Sequence, residues 1–375
     1  MTSRTLCRGL VSLAVLVLLT ACSDDSDGLS SLVDAQPFAE LYNQGITRYL
    51  GVYSPMLTEA DPDGQTTRYY FGAGDGPLCL EGGEYAMATR GTDSEDLMIF
   101  LEGGGACWSD LCAATTTASP NIPPAGINDS TRSDNPVADW NRVYVPYCDG
   151  SLHAGDRDVD DDGDGTIDRY HRGLKNLSAA LDVAVQSYPS PGRIVLAGNS
   201  GGALGTVFAL PLVRNLYPGV PIDVINDSGV GVGKPGDPGF LMQLMEEWGQ
   251  EAFIPASCDN CIGEDGHLTD YLIWSVDQDP QVKLALMSYT QDTVFANAFL
   301  AIGGPAFEAA LLEELQQQED ANPDRVRSFI TIGTSHTFVQ LEPDKAVDGT
   351  SVLQWIDTML NDQDDWRTLN EAAAP

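Results

Sequence analysis

The sequence predicts an α/β fold, a doubly wound and mostly parallel sheet with helices on both faces. Three observations predict it. Apolar runs of strand length recur along the chain, helix-periodic segments fall between them, and one run leads directly into Gly198-Asn-Ser-Gly-Gly202 and a helix. Strands buried on both faces read as near-continuous apolar runs, and their alternation with helices means parallel pairing through crossovers.

The strand candidates are Leu97–Leu101, Arg142–Tyr147, Arg193–Ala197, Ile222–Ile225, Val282–Ser288 and Ser328–Ile332. Between them, apolar residues recur at three and four over Gly173–Ser187, Leu204–Tyr217, Ala306–Gln318 and Val352–Asn361, which is the helical period. No Pro/Gly/Ser-rich linker and no fixed-period repeat interrupts residues 32–375, so one catalytic-size domain with insertions is expected.

Ahead of that domain, Arg4 and Arg8 precede the apolar run Leu10–Leu19, which is too short to span a bilayer and has the order of a signal peptide. Leu19-Thr20-Ala21-Cys22 has the form of a lipoprotein cleavage site, so residues 1–21 are expected to leave and Cys22 to receive lipid. Ser23 after that cysteine points to the outer membrane or cell surface of a bacterial envelope. Residues 22–31 are small, polar and acidic, which suits a flexible tether.

The chain carries 19 Lys and Arg against 55 Asp and Glu, a net charge of -36; without Arg4 and Arg8, 17 basic residues face the same 55 acidic ones, or -38. Nucleic acid and anionic lipid surfaces are poor partners for such a field, and a polyanionic substrate would need a local cation. Apart from Cys7 and Cys22, six cysteines remain, an even number that suits disulfides outside the cytoplasm. Cys107 with Cys112 and Cys258 with Cys261 are close enough to pair locally, which leaves Cys79 with Cys148. Zinc is the rival reading for these thiols, but no histidine stands at ligand spacing.

The chemistry centres on Ser200. A strand that turns sharply into a helix around Gly-x-Ser-x-Gly is a nucleophile elbow: positions 198 and 202 need glycine because the turn crowds them, and the serine stands at the helix N-terminus. This makes the expected fold α/β-hydrolase-like. Gly103-Gly104-Gly105, after the first strand, offers backbone N–H groups for an oxyanion, with Gly103, Gly104 and Gly201 as the candidate donors. Among the four histidines, His336 follows the last strand and lies downstream of the serine, as the order Ser, Asp, His requires. His171 lies in a loop ahead of the elbow, and His153 and His267 fall in Gly/Asp-rich segments expected at the surface. Two acids compete: Asp292, after the next-to-last strand, is preferred over Asp227, whose Asp-Ser-Gly turn suits a structural role.

With these residues in view, the chain resembles the pectin acetylesterase family, which includes the animal carboxylesterase Notum. The resemblance rests on Cys79-Leu-Glu-Gly82, Leu101-Glu-Gly-Gly-Gly-Ala-Cys107, Tyr147-Cys-Asp-Gly150, Gly155-Asp156, Arg172-Gly173, Gly198-Asn-Ser-Gly-Gly202, Asp227-Ser-Gly229, Tyr289-Thr-Gln-Asp292 and His336, in that order. It implies a Ser200, Asp292, His336 triad, an oxyanion hole near Gly103 and a structural Asp227. Two positions depart from the family pattern: Ala106 stands where an aromatic residue is usual, and Gly201 where alanine is usual. The first alters the pocket wall and puts acetylated pectin as substrate in question.

Where the relatives have an ordinary loop, residues 156–171 carry an aspartate-rich insertion with an EF-hand-like spacing. Counting Asp160 as position 1 places carboxylates at Asp160, Asp162, Asp164 and Asp168, glycine at Gly165 and a carbonyl at Thr166. His171 occupies position 12 instead of glutamate, and Asp158 or Asp161 is expected to stand in. Calcium, structural in role, is therefore the one metal the sequence suggests; catalysis needs no cofactor.

The resulting expectation is a monomeric serine carboxylesterase that cleaves acetyl or short acyl esters, on a polysaccharide or other acylated carbohydrate, and is tied to a membrane through Cys22. Lipid, polyester and thioester hydrolysis share the same mechanism. A calcium-dependent surface binding protein on a retired scaffold is the alternative of a different class.

Overall fold

The computed structural model describes residues 36–62, 64–72 and 74–372; the leader, Cys22 and the tether lie outside the described residues. Residues 37–375 form one compact unit.

The strands of the large sheet are β1 (Leu57–Ala60), β2 (Thr66–Phe71), β3 (Tyr85–Arg90), β4 (Leu97–Leu101), β7 (Asn141–Val145), β10 (Ile194–Asn199), β11 (Ile222–Asp227), β12 (Val282–Tyr289), β13 (Val326–Thr331) and β16 (Leu369–Asn370). They stand in the order β1-β2-β3-β7-β4-β10-β11-β12-β13-β16. From β7 to β16 every neighbour is parallel, while β1, β2, β3 and β7 pair antiparallel. Three small hairpins lie apart: β5 (Gly105–Trp108) with β6 (Leu111–Ala114), β8 (Arg157–Val159) with β9 (Arg169–His171), and β14 (Ala346–Val347) with β15 (Thr350–Ser351).

The expected parallel strands form within one or two residues of their predicted ends. The antiparallel edge β1 to β3 did not stand out, because Thr66–Phe71 is Thr-Thr-Arg-Tyr-Tyr-Phe, a half-polar run that pairing and aromatic burial hold together.

The helices are α1 (Ala39–Asn43), α2 (Gly173–Ser187), α3 (Gly201–Leu216), α4 (Pro238–Trp248), α5 (Thr269–Asp277), α6 (Gly304–Ala321) and α7 (Val352–Leu360). Helix α3 starts three residues before its apolar period at Leu204, since the turn at Ser200 sets its beginning. Alternate residues of each central strand face opposite layers. Leu97, Ile99, Leu101, Ile194 and Leu196 pack with α2, α3 and α5, whereas Met98, Phe100, Val195 and Ala197 pack with Trp355, Ile356 and Met359 of α7. The cysteines form all three expected bonds, Cys79–Cys148, Cys107–Cys112 and Cys258–Cys261.

Candidate active site

Five adjacent strands, β4, β10, β11, β12 and β13, deliver their carboxyl ends to one edge of the sheet, where open α/β sheets place their sites. There β10 ends at Asn199 and α3 begins at Gly201, with Ser200 between them at φ 55° and ψ -123°. A serine rarely adopts this backbone, and it holds only because the surroundings fix it. The Ser200 N–H donates to the Asp227 carbonyl at 2.8 Å. A Cβ on Gly198 would come 2.2 Å from the Gly202 carbonyl oxygen, and one on Gly202 would come 2.1 Å from that of Leu101. Glycine at both positions is thus a steric requirement of the elbow.

The β4 end lies directly against this turn: a Cβ on Gly103 would be 2.3 Å from the Asn199 carbonyl oxygen and 2.8 Å from Ser200 Cβ. The expected role of Gly103 as an oxyanion donor needs correction, because its N–H donates to Asn199 Oδ1 at 3.0 Å. Gly104 follows it, and Gly201 opens α3, where first-turn N–H groups have no intrahelical acceptor. Gly105 lines the cleft beside Ser200 and was missed in the sequence, where it was indistinguishable from its neighbours.

The structure brings Asp292 and His336 together. Asp292 is fully buried; its Oδ2 accepts from His336 Nδ1 at 2.6 Å, and its Oδ1 accepts the N–H groups of Val294 and Phe295 at 2.9 and 3.2 Å. One oxygen therefore orients the imidazole while the other caps a π-helical turn, Val294–Phe299, a form common at functional sites. Their two loops are also joined through the backbone, Gln291 N–H to Gly333 O at 2.9 Å and Thr293 N–H to Thr334 O at 3.3 Å. His336 Nε2 is buried and has no hydrogen-bond partner among the described residues. The ring stands 5.9 Å from that of Phe295, which lines the same cleft as Ser200.

Asp227 supports this arrangement. Its carboxylate accepts the N–H groups of Phe338 and Val339, each at 2.8 Å, while the Ser228 hydroxyl accepts that of Thr337 at 3.2 Å. Burial pushes the Asp227 carboxyl up to about 7, against the pull of these donors. Through its carbonyl and its side chain, one residue ties the elbow to the histidine loop.

Beside Ser200 runs a cleft of about 480 Å³, walled by Ala106, Trp108, Leu111, Leu204, Phe295 and Phe299. Its surface is nearly all apolar, and several of its residues come from the β5–β6 hairpin and the π-helical turn, neither of which the sequence foreshadowed.

The other histidines have different surroundings from those expected. His153 and His267 are buried rather than on the surface, and His171 is a buried residue of β9. His153 Nε2 lies 2.9 Å from the Glu102 carbonyl, His267 Nδ1 accepts from Gly233 N–H at 3.0 Å, and His171 Nδ1 meets the Asp149 carbonyl at 3.0 Å.

The aspartate-rich segment forms the loop of the β8–β9 hairpin. Asp160, Asp162 and Asp168 each turn an oxygen into one group, all within 4.8 Å of one another. Asp160 accepts the N–H groups of Gly163, Asp164 and Gly165, and Asp164 accepts that of Thr166 at 2.7 Å, outside the group of three. Asp158 is not part of it either, which corrects that expectation. Arg172 holds Asp158 through two bonds of 2.8 and 2.6 Å, and Arg169 holds Asp161. The hard carboxylate oxygens suit calcium chemically, but they form only part of the six to eight oxygens that it takes.

Residues 72–236 match the family model described as Pectinacetylesterase. Among curated proteins, the chain is 29% identical over 169 residues to pectin acetylesterase 4 of Arabidopsis thaliana, covering 41% of each chain. It is 25% identical over 211 residues to pectin acetylesterase 11 of the same plant, covering 51% of this chain and 53% of that one. The chain thus spans about half, or less, of the length of these relatives. The family match takes in the glycine segment, the elbow and Asp227 and stops before Asp292 and His336, whose placement rests on the geometry above. With its parallel sheet and the motifs along β4, β10 and β11, residues 72–236 of the chain are similar to the pectin acetylesterase family.

Proposed function

We propose that this protein is a serine carboxylesterase in which Ser200 is the nucleophile, His336 the general base and Asp292 the residue that orients it. The observation that carries the reading is the 2.6 Å contact from His336 Nδ1 to buried Asp292, which leaves Nε2 without a partner among the described residues, on a ring 5.9 Å from that of Phe295, which lines the same cleft as Ser200. Ser200 Oγ attacks the ester carbonyl carbon as its proton passes to His336 Nε2, and Asp292 stabilises the resulting imidazolium. The N–H groups of Gly104 and Gly201 hold the oxyanion. Collapse expels the alcohol, which takes the proton from Nε2, and water then releases the acid by the same steps in reverse.

The substrate we infer is an acetyl or short acyl ester of a carbohydrate, supported by the names of the plant relatives. The apolar walls of the cleft favour a second reading, an acyl chain longer than acetyl, as in a lipid or polyester. A lipid on Cys22 would hold the enzyme at an envelope surface, and mass spectrometry of the native N-terminus tests this: an unmodified Cys22 rules it out.

Hydrolysis of p-nitrophenyl esters from acetate to decanoate, by residues 32–375, tests the mechanism. Ser200→Ala and His336→Ala are expected to lower kcat by about 10⁴-fold or more and Asp292→Asn by about 10³ to 10⁴-fold. The chain-length profile sizes the cleft. Activity that survives Ser200→Ala refutes the mechanism.

A further inference from the structure

The Glu102–Gly103 peptide group is held at both of its polar ends by side chains from two other segments. Its carbonyl oxygen lies 2.9 Å from His153 Nε2, and its N–H donates to Asn199 Oδ1 at 3.0 Å. We propose that His153 and Asn199 are positioning residues that clamp this peptide plane and thereby aim the next N–H groups of the glycine segment at the oxyanion. The inference rests on the ester hydrolysis proposed above.

The physical need is plain. Gly103 and Gly104 have no Cβ to restrict the Gly103–Gly104 peptide plane, whereas an oxyanion hole works only if its donors are fixed before the reaction. The carbonyl and N–H of one peptide unit point in opposite directions, so bonds to both remove its rotation about the chain axis. The preceding N–H, that of Glu102, is fixed to the Val145 carbonyl at 3.0 Å, and the Gly104 carbonyl accepts the Thr115 N–H at 2.7 Å, so the Gly103–Gly104 peptide unit lies between two anchored ones, of which Glu102–Gly103 is the one on its N-terminal side.

Both clamping side chains are themselves fixed. Asn199 Nδ2 donates to Gln340 Oε1 at 3.3 Å. His153 is completely buried, its ring meets Tyr147 edge-on with centroids 4.9 Å apart, and a Cβ on Gly205 of α3 would come 2.8 Å from its Cδ2. A carbonyl oxygen can only accept, so Nε2 carries the proton, and Nδ1 is left buried without a partner among the described residues. Burial lowers the tendency of His153 to take a second proton, which keeps this neutral tautomer. The ring reaches its place because Leu152 and His153 both adopt left-handed backbone, at φ 57° and 61°. Two successive non-glycine residues in that region cost about 1 kcal/mol or more each, and such strain persists where the surroundings impose it. The same turn puts Leu152 into the wall of the cleft.

The test combines amide exchange with kinetics in His153→Phe, His153→Gln and Asn199→Ala. Phenylalanine keeps the ring and removes the donor; glutamine restores a donor at similar reach. By mass spectrometry, exchange across residues 102–106 is expected to rise about tenfold or more in His153→Phe and Asn199→Ala and to return toward wild type in His153→Gln. On p-nitrophenyl acetate, kcat is expected to fall about 10 to 100-fold in His153→Phe with KM within about twofold, and to recover within about threefold in His153→Gln. The double variant His153→Phe/Asn199→Ala should lose less than the product of the single losses, since both hold one peptide. Unchanged exchange in His153→Phe overturns the clamp, as does full kcat in that variant beside an active wild type. A wild type inert toward every ester would fail the hydrolase reading instead, and the exchange measurement would still decide the clamp.

Discussion

At Ser200 the chain concentrates its constraints into a few atoms, and the glycines around it are not equivalent. A Cβ on Gly202 meets a backbone carbonyl at 2.1 Å, whereas one on Gly201 finds its nearest neighbour, the Gly105 oxygen, at 3.1 Å. Gly202→Ala is therefore expected to destabilise the fold by about 2–3 kcal/mol and to abolish activity. Gly201→Ala should fold normally and keep measurable turnover, and thermal melts with ester assays separate the two. Asp227 yields a pH signature. Its folded carboxyl is raised to about 7 from an ordinary value near 3.8, so between these values the folded state holds a proton that the unfolded chain has lost. That contribution is fully present at low pH and is lost as pH rises through about 7. Asp227→Asn should accordingly flatten the decline of melting temperature between pH 4 and pH 7; an unchanged slope would show that Asp227 titrates normally.

The hairpins and loops that flank the site are short, and cross-links and ion pairs add to the packing that holds them. Cys79–Cys148 closes a separation of 69 residues and fixes the entry to the loop that carries Leu152 and His153. Removing it as Cys79→Ser/Cys148→Ser should cost roughly 4 kcal/mol by loop-closure entropy, read as a fall in the denaturant midpoint. The β8–β9 hairpin is different, because its loop groups like charges at Asp160, Asp162 and Asp168. On the calcium reading of its spacing, calorimetric titration should give one saturable site at submillimolar to millimolar affinity that Asp160→Asn and Asp162→Asn abolish. Absence of heat across that range would leave a solvated hairpin held by Arg169 and Arg172.

Across the whole molecule, 55 acidic side chains face 19 basic ones, and many of the cations are spent on local pairs such as Arg172 with Asp158, Arg214 with Asp279 and Arg132 with Asp134 and Asp344. The remaining field is self-repulsive in the compact state and weaker in the expanded one. Raising sodium chloride from about 0.02 M to 0.5 M shortens the screening length from roughly 20 Å to about 4 Å, so the melting temperature should rise with salt. A melting temperature that falls instead would mean that attractive pairs outweigh the net charge. Among the described residues no helix is long and apolar enough to cross a membrane.

The parallel strands, the elbow and the disulfides Cys107–Cys112 and Cys258–Cys261 were legible because each is written in nearby residues. Apolar runs mark β4 and β10 to β13, the spacing of glycine about Ser200 marks the turn, and near neighbours pair four of the cysteines, which leaves Cys79 with Cys148. The sequence favours Asp292 over Asp227 by its place after the next-to-last predicted strand, and in the fold its carboxylate lies 2.6 Å from His336 Nδ1. What depends on distant segments meeting was not legible. Only the folded chain shows that Gly103 N–H is taken by Asn199, that His153 and His267 are interior, that Asp158 belongs to Arg172, and that the β5–β6 hairpin and a π-helical turn build an apolar wall. Local periodicity and turn chemistry act over a few residues and so can be read along the chain, whereas a donor's choice of acceptor and a pocket's polarity are settled by contacts that only folding makes, over separations from 14 residues for Asp158 with Arg172 to 96 for Gly103 with Asn199.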